Sequence, residues 1–288
     1  MNQGSGLAAV LDQIFEKLDR IPNFPETAQR ALRLLQNEEI DFRELERIVR
    51  HDAAITANFL KLVNSAAFGL PRKVNTLLQA FSLLGINQIK FVLIASCLGQ
   101  YLKEPIKGYN LTPEEIWTHS LACGLMSEAL ARRAGLHRPE NLFTAALLHD
   151  IGKIVIHLYV EGELENLQQV LRENPELTFM QAEWMVLGAD HGIVGAELLR
   201  RWEFPKEVYF AVRAHHDESL MLESRLAALT ALSNALVNLM GLGTGVDVFA
   251  YHLPEELLKA AGVSEKDLYP AIVETFEKTE ALKASLFS

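Results

Sequence analysis

Apolar residues recur every three to four positions along almost the whole chain, and no segment shows the strict alternation of apolar and polar residues that a half-buried strand needs. In the first such stretch, residues 6–20, the apolar side chains from Leu7 to Leu18 fall on one side of a helix. Capping residues, Gly and Pro bound the following stretches, so the pattern predicts an all-α chain. The predicted helices span residues 6–20, 26–35, 41–51, 52–67, 76–84, 86–102, 112–134, 139–159, 161–172, 178–187, 191–202, 205–214, 221–240, 254–261 and 265–286.

Residues 103–112 interrupt the helical pattern with Pro, Gly and Asn, and they form the predicted internal boundary. Thr112 and Glu115 then give a capping-box pattern that opens a long helix. Three parts follow from this division. They are an N-terminal helical lobe over residues 1–108, a second lobe over 109–240, and a C-terminal helical extension over 241–288 that begins with a flexible joint at 241–247.

The chain has 288 residues, of which 49% are hydrophobic and 22% charged, a composition that supports a sizeable core. With 27 basic and 37 acidic residues its formal net charge is −10, which argues against a nucleic-acid partner. The two cysteines, Cys97 and Cys123, lie in apolar stretches and are predicted to be buried, reduced core residues. No signal-peptide pattern is visible, and the longest apolar run, residues 91–99, is much shorter than the ~20 residues of a membrane span. These features predict a cytoplasmic protein without a membrane span.

Several polar residues stand in apolar helical surroundings and are candidates for chemistry. His149 and Asp150 lie in the apolar segment Leu147–Lys153 (LLHDIGK), where an ionisable pair is costly unless it finds partners. A divalent metal ion meets that need, since imidazole and carboxylate are ordinary ligands of zinc, iron and manganese. Because adjacent residues of a helix point about 100° apart, further ligands must come from other helices. The candidates are Glu115, His119, His191, His215 and His216.

Each of these residues also has a structural interpretation when it is considered alone. A buried histidine is usually a hydrogen-bonded core residue, and Glu115 and His119, four residues apart, fit a surface pair on one helix face. An acidic residue before His191 fits a helix cap, and His215-His216 fits an exposed helix end. Taken together and in this order, the residues favour a metal site.

Two further features lie in the predicted N-terminal lobe. His51-Asp52 is a second His-Asp pair, but it has no flanking histidines, and Asp52 is predicted to cap the helix that it begins. Arg72 and Lys73 form a small basic spot, which is either an ordinary surface loop or a contact for a partner or an anion.

The order of these motifs resembles that of a known superfamily. Leu147–Lys153 matches the central motif of the HD phosphohydrolases, which are helical metal enzymes. Ile21–Pro25 (IPNFP), Val63–Gly69 (VNSAAFG) and Leu83–Gly85 (LLG) resemble the HDOD family, and the resemblance covers about residues 15–217. It implies an HD-domain-like multi-helix architecture in which the N-terminal lobe packs on an HD-type lobe.

The resemblance also implies roles for individual residues. Lys153 falls on a lysine that contacts the substrate phosphate in active relatives, and it is therefore the candidate catalytic residue. The last aspartate ligand of the superfamily is matched by Asn234, which is neutral and a poorer ligand. The metal-ligating positions of multi-metal HD enzymes fall on Glu115, His119, His149, Asp150, His191, His215 and His216.

Three functions follow from the resemblance. The first is a bacterial signal-transduction or regulatory HDOD module that has signalling-protein partners and a structural or vestigial metal. The alternative is a metal-dependent phosphohydrolase, a phosphodiesterase or nucleotidase, in which one or two iron, manganese or zinc ions and Lys153 act on a phosphate-containing small molecule. The third is a di-iron oxygenase. Residues 217–221 lack the Gly-Tyr-Pro motif that follows the histidine pair in cyclic-di-GMP phosphodiesterases of the superfamily, which argues against that activity.

Overall fold

The computed structural model describes residues 3–17, 24–35, 37, 39–65, 68, 70, 72–98, 105–106, 109–136, 141–159, 164–242 and 254–286. Over these residues the chain is helical and contains no strand, only an isolated bridge between Ile106 and Leu111, so the predicted all-α fold is confirmed. None of the described helices has the length and apolar character needed to cross a bilayer. In chain order the helices are α1 (Gln3–Lys17), α2 (Glu26–Leu34), α3 (Phe42–Arg50), α4 (Ala53–Val63), α5 (Leu77–Leu83), α6 (Ile86–Leu98), α7 (Pro113–Arg133), α8 (Leu142–Leu148), α9 (Ile151–Tyr159), α10 (Leu164–Glu173), α11 (Phe179–Leu187), α12 (His191–Arg201), α13 (Lys206–Ala214), α14 (Arg225–Leu239), α15 (Glu255–Ala261) and α16 (Glu265–Leu286).

Capping side chains set the starts of several helices where the sequence predicts them. Asp41 accepts a hydrogen bond from the α3 backbone at 2.8 Å, and Thr112 and Glu115 form the predicted capping box of α7. Asp52 accepts a hydrogen bond from the α4 backbone at 3.0 Å. The second His-Asp pair therefore has the capping role that its sequence context predicts.

One predicted helix is corrected by the structure. Residues 139–159 are predicted to form one helix, but their described part contains α8 and α9, separated by a turn at His149 and Asp150. His149 Nδ1 donates a hydrogen bond at 2.8 Å to the Ala146 carbonyl, which the Asp150 N–H would use in a continuous helix. The turn therefore replaces a backbone hydrogen bond by one from a side chain.

The chain divides into two compact units. The first comprises Met1–Ile21 and Glu104–Val273, and the second comprises Pro22–Lys103 and Glu274–Ser288. Helix α1 groups with the first unit, and the predicted lobes with a boundary at residue 108 stay a prediction. One contact that joins α1 to this unit is distant in sequence: the Arg201 guanidinium stacks on the Phe15 ring at 4.3 Å.

The second unit packs its helices around an apolar core. Phe59 of α4 and Phe81 of α5 meet edge to face, with ring centroids 5.5 Å apart. Asn64, in the VNSAAFG segment, exchanges two hydrogen bonds of 2.7 Å with the Val74 backbone. It therefore ties the end of α4 to the segment that leads into α5. Other predictions fall on residues 18–23, 66–67, 69, 99–102, 137–140 and 243–247, which lie outside the described part of the chain.

The first unit is built around α7 and α14, which are buried along most of their length. Helix α7 packs on α8 and α14, α9 packs on α12, and α12 packs on α13. Where α9 crosses α12, a Cβ on Gly152 would lie only 1.9 Å from the His191 carbonyl oxygen, so this crossing requires glycine. The close approach brings the start of α12 next to the turn at His149 and Asp150.

Candidate metal centre

Four segments of the first unit direct polar side chains to one point. These side chains are almost completely buried, with exposed fractions of at most 5%, except for one half-buried histidine at the end of the set. We call them the His-Asp cluster. Its members are His119 of α7, His149 and Asp150 of the turn between α8 and α9, His191 at the start of α12, and His215 and His216 after α13.

The Asp150 carboxylate lies at the centre of the His-Asp cluster. Its Oδ2 atom is 3.6 Å from His119 Nε2 and 3.4 Å from His149 Nε2. Its Oδ1 atom is 3.4 Å from His191 Nε2 and 3.7 Å from His215 Nε2. Each carboxylate oxygen therefore faces two imidazole nitrogens that come from different elements.

The other ring nitrogen of each of these four imidazoles lies against a hydrogen-bond acceptor. The Nδ1 atoms of His119, His149 and His215 are 3.0, 2.8 and 2.5 Å from backbone carbonyl oxygens. His191 Nδ1 is 2.8 Å from the Glu183 carboxylate. Because carbonyls and carboxylates only accept, each neutral ring carries its proton on Nδ1 and presents an Nε2 lone pair. Metal-ligating histidines usually have this arrangement.

The protonation states of the cluster suit metal binding. Burial lowers the pKa of His119 and holds the pKa of His149 well below its usual value, so both rings stay neutral near pH 7. Burial alone would raise the pKa of Asp150, but positive charge close to the carboxylate, including the Lys153 ammonium at 2.8 Å, outweighs burial and holds that pKa well below its usual value. The cluster thus combines the neutral imidazoles of His119 and His149 with an ionised carboxylate.

Several buried polar atoms of the cluster meet without a hydrogen bond among the described residues. Asp150 Oδ1, His191 Nε2 and His215 Nε2 make no hydrogen bond with any residue that the structure describes. Buried polar atoms without partners are costly, and a cation among them would remove the cost. Imidazole nitrogen and carboxylate oxygen are the donors that zinc, iron and manganese take in proteins, so the cluster fits a divalent metal ion.

A buried glutamate that was not predicted from the sequence holds His191 in place. Glu183 of α11 is 0% exposed, and its Oε2 atom accepts hydrogen bonds from the His191 backbone N at 2.9 Å and from Nδ1 at 2.8 Å. Its Oε1 atom accepts a hydrogen bond from the Tyr109 hydroxyl. Burial alone would lower the pKa of His191, but Glu183 raises this pKa overall. The carboxylate thereby makes the imidazole a stronger ligand for a metal ion. The sequence signal that could have identified Glu183 is its position one turn after Phe179, on the buried side of α11.

Lys153, the candidate catalytic residue, joins the cluster through its carboxylate. It lies on α9 and is 5% exposed. Its Nζ atom donates a hydrogen bond to Asp150 Oδ2 at 2.8 Å and lies 5.6 Å from the centroid of the Tyr109 ring. The lysine therefore neutralises the cluster carboxylate from one side.

Glu115, a predicted ligand, is not brought to the cluster by the fold. It is exposed in the first turn of α7, where its Oε2 atom accepts hydrogen bonds from the Thr112 backbone N at 2.7 Å and from Thr112 Oγ1 at 2.8 Å. The capping box uses the carboxylate to satisfy a backbone donor that has no partner within the helix. His119, one turn further along α7, is buried and does reach the cluster.

Two more side chains lie close to His119 in the cluster. Asn234 of α14, the predicted substitute for the last aspartate, has its Oδ1 atom 3.1 Å from His119 Nε2. Cys123 of α7 has its Sγ atom 3.6 Å from the same nitrogen. Cys123 is buried and unpaired with another cysteine, as predicted, and burial raises the pKa of its thiol well above the usual value. Its place beside His119 was not predicted, although a spacing of four residues puts both on one helix face.

A cavity of about 680 Å³ reaches the cluster at His216. Trp184, Arg213 and Asp217 are among the residues that line it. Trp184 Nε1 donates a hydrogen bond to Asp190 Oδ2 at 2.8 Å, which fixes the indole at the cavity wall. The cavity thus offers an aromatic ring and a guanidinium group beside one histidine of the cluster.

The fold recurs in solved structures. An HDOD domain protein of unknown function from Geobacter sulfurreducens superposes with a TM-score of 0.79, at 21% identity and over 97% of each chain. A protein from Shewanella amazonensis SB2B that is provisionally named a phosphohydrolase superposes with a TM-score of 0.74, at 21% identity, over 95% of this chain and 97% of its own. At these identities the likeness establishes the fold.

Curated relatives share the sequence over part of their length. A ribonuclease Y from Lawsonia intracellularis (strain PHE/MN1-00) is 28% identical over 223 residues, which are 75% of this chain and 35% of that protein. An uncharacterized protein from Treponema pallidum (strain Nichols) is 23% identical over 205 residues, which are 71% of this chain and 39% of that protein. This chain therefore spans well under half the length of these relatives. The HDOD domain family matches residues 21–218, and the chain belongs to this family.

Proposed function

We propose that the chain is a bacterial regulatory HDOD module whose His-Asp cluster binds a divalent ion of iron, manganese or zinc. The observation that carries this proposal is the set of four buried imidazole Nε2 atoms around the ionised carboxylate of Asp150. A bound ion would connect α7, the turn between α8 and α9, the start of α12 and the end of α13. The free energy of metal binding would then stabilise the first unit, and its conformation would depend on metal supply.

The enclosure of the cluster supports a regulatory role over a catalytic one. A catalytic metal keeps an open position for water or substrate, whereas the central carboxylate and its nearest imidazoles are at most 5% exposed. Lys153 is engaged with Asp150 at 2.8 Å and so shares its charge with the cluster. In a regulatory module the ion would hold the helices around the cluster together.

The second unit offers a surface that fits a signalling-protein partner. Arg72 and Lys73 line a surface cavity of about 450 Å³ together with Leu83, whose side chain is 57% exposed. Basic groups next to an exposed apolar side chain fit a partner segment that carries acidic and apolar residues.

Metal content tests the proposal directly. Protein purified without a histidine tag is expected to contain a transition metal, and the His149→Ala/Asp150→Ala double variant is expected to lose it. His51→Ala removes an exposed histidine of the second unit and is the matched control, which should retain the metal. Equal metal content in wild type and in the double variant would overturn the proposal.

The cavity at His216 supports a second candidate, a metal-dependent phosphohydrolase. A divalent ion, when bound, lowers the pKa of a water molecule and polarises a phosphoryl oxygen. Arg213 would attract the phosphate of a substrate in the cavity, and the Trp184 ring would pack against its apolar part. Lys153 would offset negative charge that develops on the phosphate.

Turnover separates the two candidates. Metal-loaded protein is assayed with phosphate monoesters, phosphodiesters and cyclic nucleotides, and the regulatory module is expected to hydrolyse none of them. Hydrolysis that disappears in His149→Ala, falls strongly in Arg213→Ala and persists in Arg200→Ala would establish the phosphohydrolase instead, since Arg200 pairs with Glu197 on the surface.

A further inference from the structure

The side of the His-Asp cluster next to α7 contains a sulfur donor. His119 Nε2 lies 3.3 Å from His149 Nε2 and 3.6 Å from Cys123 Sγ. One ligand atom from each of these three residues lies within 4.8 Å of the others. All three side chains are at most 3% exposed.

The single proton of the Cys123 thiol cannot satisfy all the acceptor atoms that meet around His119 Nε2. His119 and His149 both use Nδ1 to donate to backbone carbonyls, so neither Nε2 atom can donate to the other. Asn234 Oδ1, 3.1 Å from His119 Nε2, is a further acceptor and already accepts a hydrogen bond from Asn238 at 2.7 Å. A cation would relieve the contact between these acceptor atoms.

The Asp150 carboxylate separates two groups of donors. Its Oδ2 atom faces His119 and His149, and its Oδ1 atom faces His191 and His215. The second group, with His216, also has its ligand atoms within 4.8 Å of one another. One ion beside each carboxylate oxygen would therefore have its own set of protein donors.

We propose that Cys123, as a thiolate, binds one of two metal ions of the cluster together with His119 and His149. This inference rests on the proposed metal site and adds a ligand and a second ion to it. On binding, the S–H bond breaks, the proton passes to solvent and a sulfur–metal bond forms. The thiolate supplies a negative charge where Asn234 supplies none, and it favours zinc or iron(II) over manganese at this position.

Cobalt(II) is the probe, because a thiolate bound to cobalt gives a charge-transfer band in the near ultraviolet. The full chain is freed of metal, kept reduced and titrated with cobalt. We expect two cobalt ions per chain and the band in wild type. Cys123→Ser is expected to bind one ion without the band. Cys97→Ser, which changes the other buried cysteine in the second unit, is expected to match wild type.

The outcomes separate this inference from the proposed function. Cobalt binding without the band in wild type would overturn the role of Cys123 and leave the metal site intact, whereas no cobalt binding would overturn both. A band that is lost in Cys97→Ser would show that Cys97 supplies the thiolate, and this result would also overturn the inference. If Cys123→Ser does not fold, a band that persists in Cys97→Ser still assigns the thiolate to Cys123, since the chain has two cysteines.

Discussion

Single side chains decide which atoms of the His-Asp cluster face a metal ion. His191 presents Nε2 to the cluster because the buried carboxylate of Glu183 holds its Nδ1 proton at 2.8 Å. The same carboxylate accepts the backbone N–H of His191 at 2.9 Å, so it fixes the ring and the start of α12 together. Glu183 is therefore a positioning residue for the proposed ion, although it does not face the ion itself.

Replacing this carboxylate by an amide should weaken metal binding. Glu183→Gln keeps the shape of the side chain but loses the charge that orients and strengthens the imidazole, so we expect metal affinity to fall about 10- to 100-fold. Competition titration with a chromophoric chelator measures the affinity. Glu115→Gln is the control, because glutamine also forms a capping box, and its affinity should equal that of wild type. A loss of metal affinity in Glu115→Gln would show that Glu115 takes part in metal binding.

The sequence predicts those cluster residues that are visibly out of place in apolar helices. His149 and Asp150 stand out in LLHDIGK because an unpaired ionisable group is costly there. Glu183 does not stand out, because its function depends on α11 approaching the first residue of α12, a tertiary contact that local pattern does not encode. Glu115 has the right spacing from His119, but a local cap hydrogen bond at 2.7 Å uses its carboxylate.

At the scale of helices, start positions are predictable because caps are local. Thr112 and Thr178, for example, begin α7 and α11 with capping boxes whose residues are three positions apart in sequence. The break between α8 and α9 is not predictable from periodicity, because the few polar residues in 142–156 stand among apolar residues on every side of the helix. It arises from the His149 side chain, which takes the Ala146 carbonyl at 2.8 Å.

The crossing of α9 and α12 should not tolerate a side chain at Gly152. In Gly152→Ala the new Cβ would lie 1.9 Å from the His191 carbonyl and 2.7 Å from the Gly195 N, so the helices must separate. We expect a destabilisation of at least about 3 kcal/mol, measured by thermal unfolding followed by circular dichroism, and weaker metal binding through His191. Gly85→Ala is the control, since its Cβ would meet nothing within 4 Å. Equal stability of both variants would contradict this account of the crossing.

Arg201 should hold α1 on the first unit. It stacks on Phe15 at 4.3 Å and pairs with Asp12 at 3.3 Å. In the described ion pairs, its neighbour Arg200 has Glu197 as its partner. Arg201→Ala should weaken the docking of α1 by about 1 kcal/mol, which corresponds to about fivefold faster amide hydrogen exchange in α1. Arg200→Ala should leave that exchange unchanged. Equal exchange in the two variants would contradict the role of Arg201.

For the whole molecule, composition and pattern predict an all-α chain with an internal boundary near residue 108, and the contacts divide the chain after Lys103. Composition and pattern do not predict that α1 belongs with residues 104–273, because the contact of Arg201 with Phe15 joins residues far apart in sequence. The donor groups described for a metal ion all lie in the first unit. All three tryptophans, Trp117, Trp184 and Trp202, lie there too.

Metal removal should therefore destabilise the first unit selectively. At a metal concentration 100 times the dissociation constant, binding stabilises a folded unit by about 2.7 kcal/mol, which for a unit of this size raises its midpoint by about 5 to 10 °C. We expect a chelator to lower the midpoint of the tryptophan fluorescence transition by this amount. The second unit contains no tryptophan, and the part of the circular-dichroism transition that does not coincide with the fluorescence transition should not move. In the His149→Ala/Asp150→Ala double variant, which removes the carboxylate shared by both groups of donors, the chelator should have no effect on either transition. A chelator effect that persists in this variant would show that the stabilising ion binds outside the His-Asp cluster. A chelator effect that shifts both transitions equally would show that the two units unfold together.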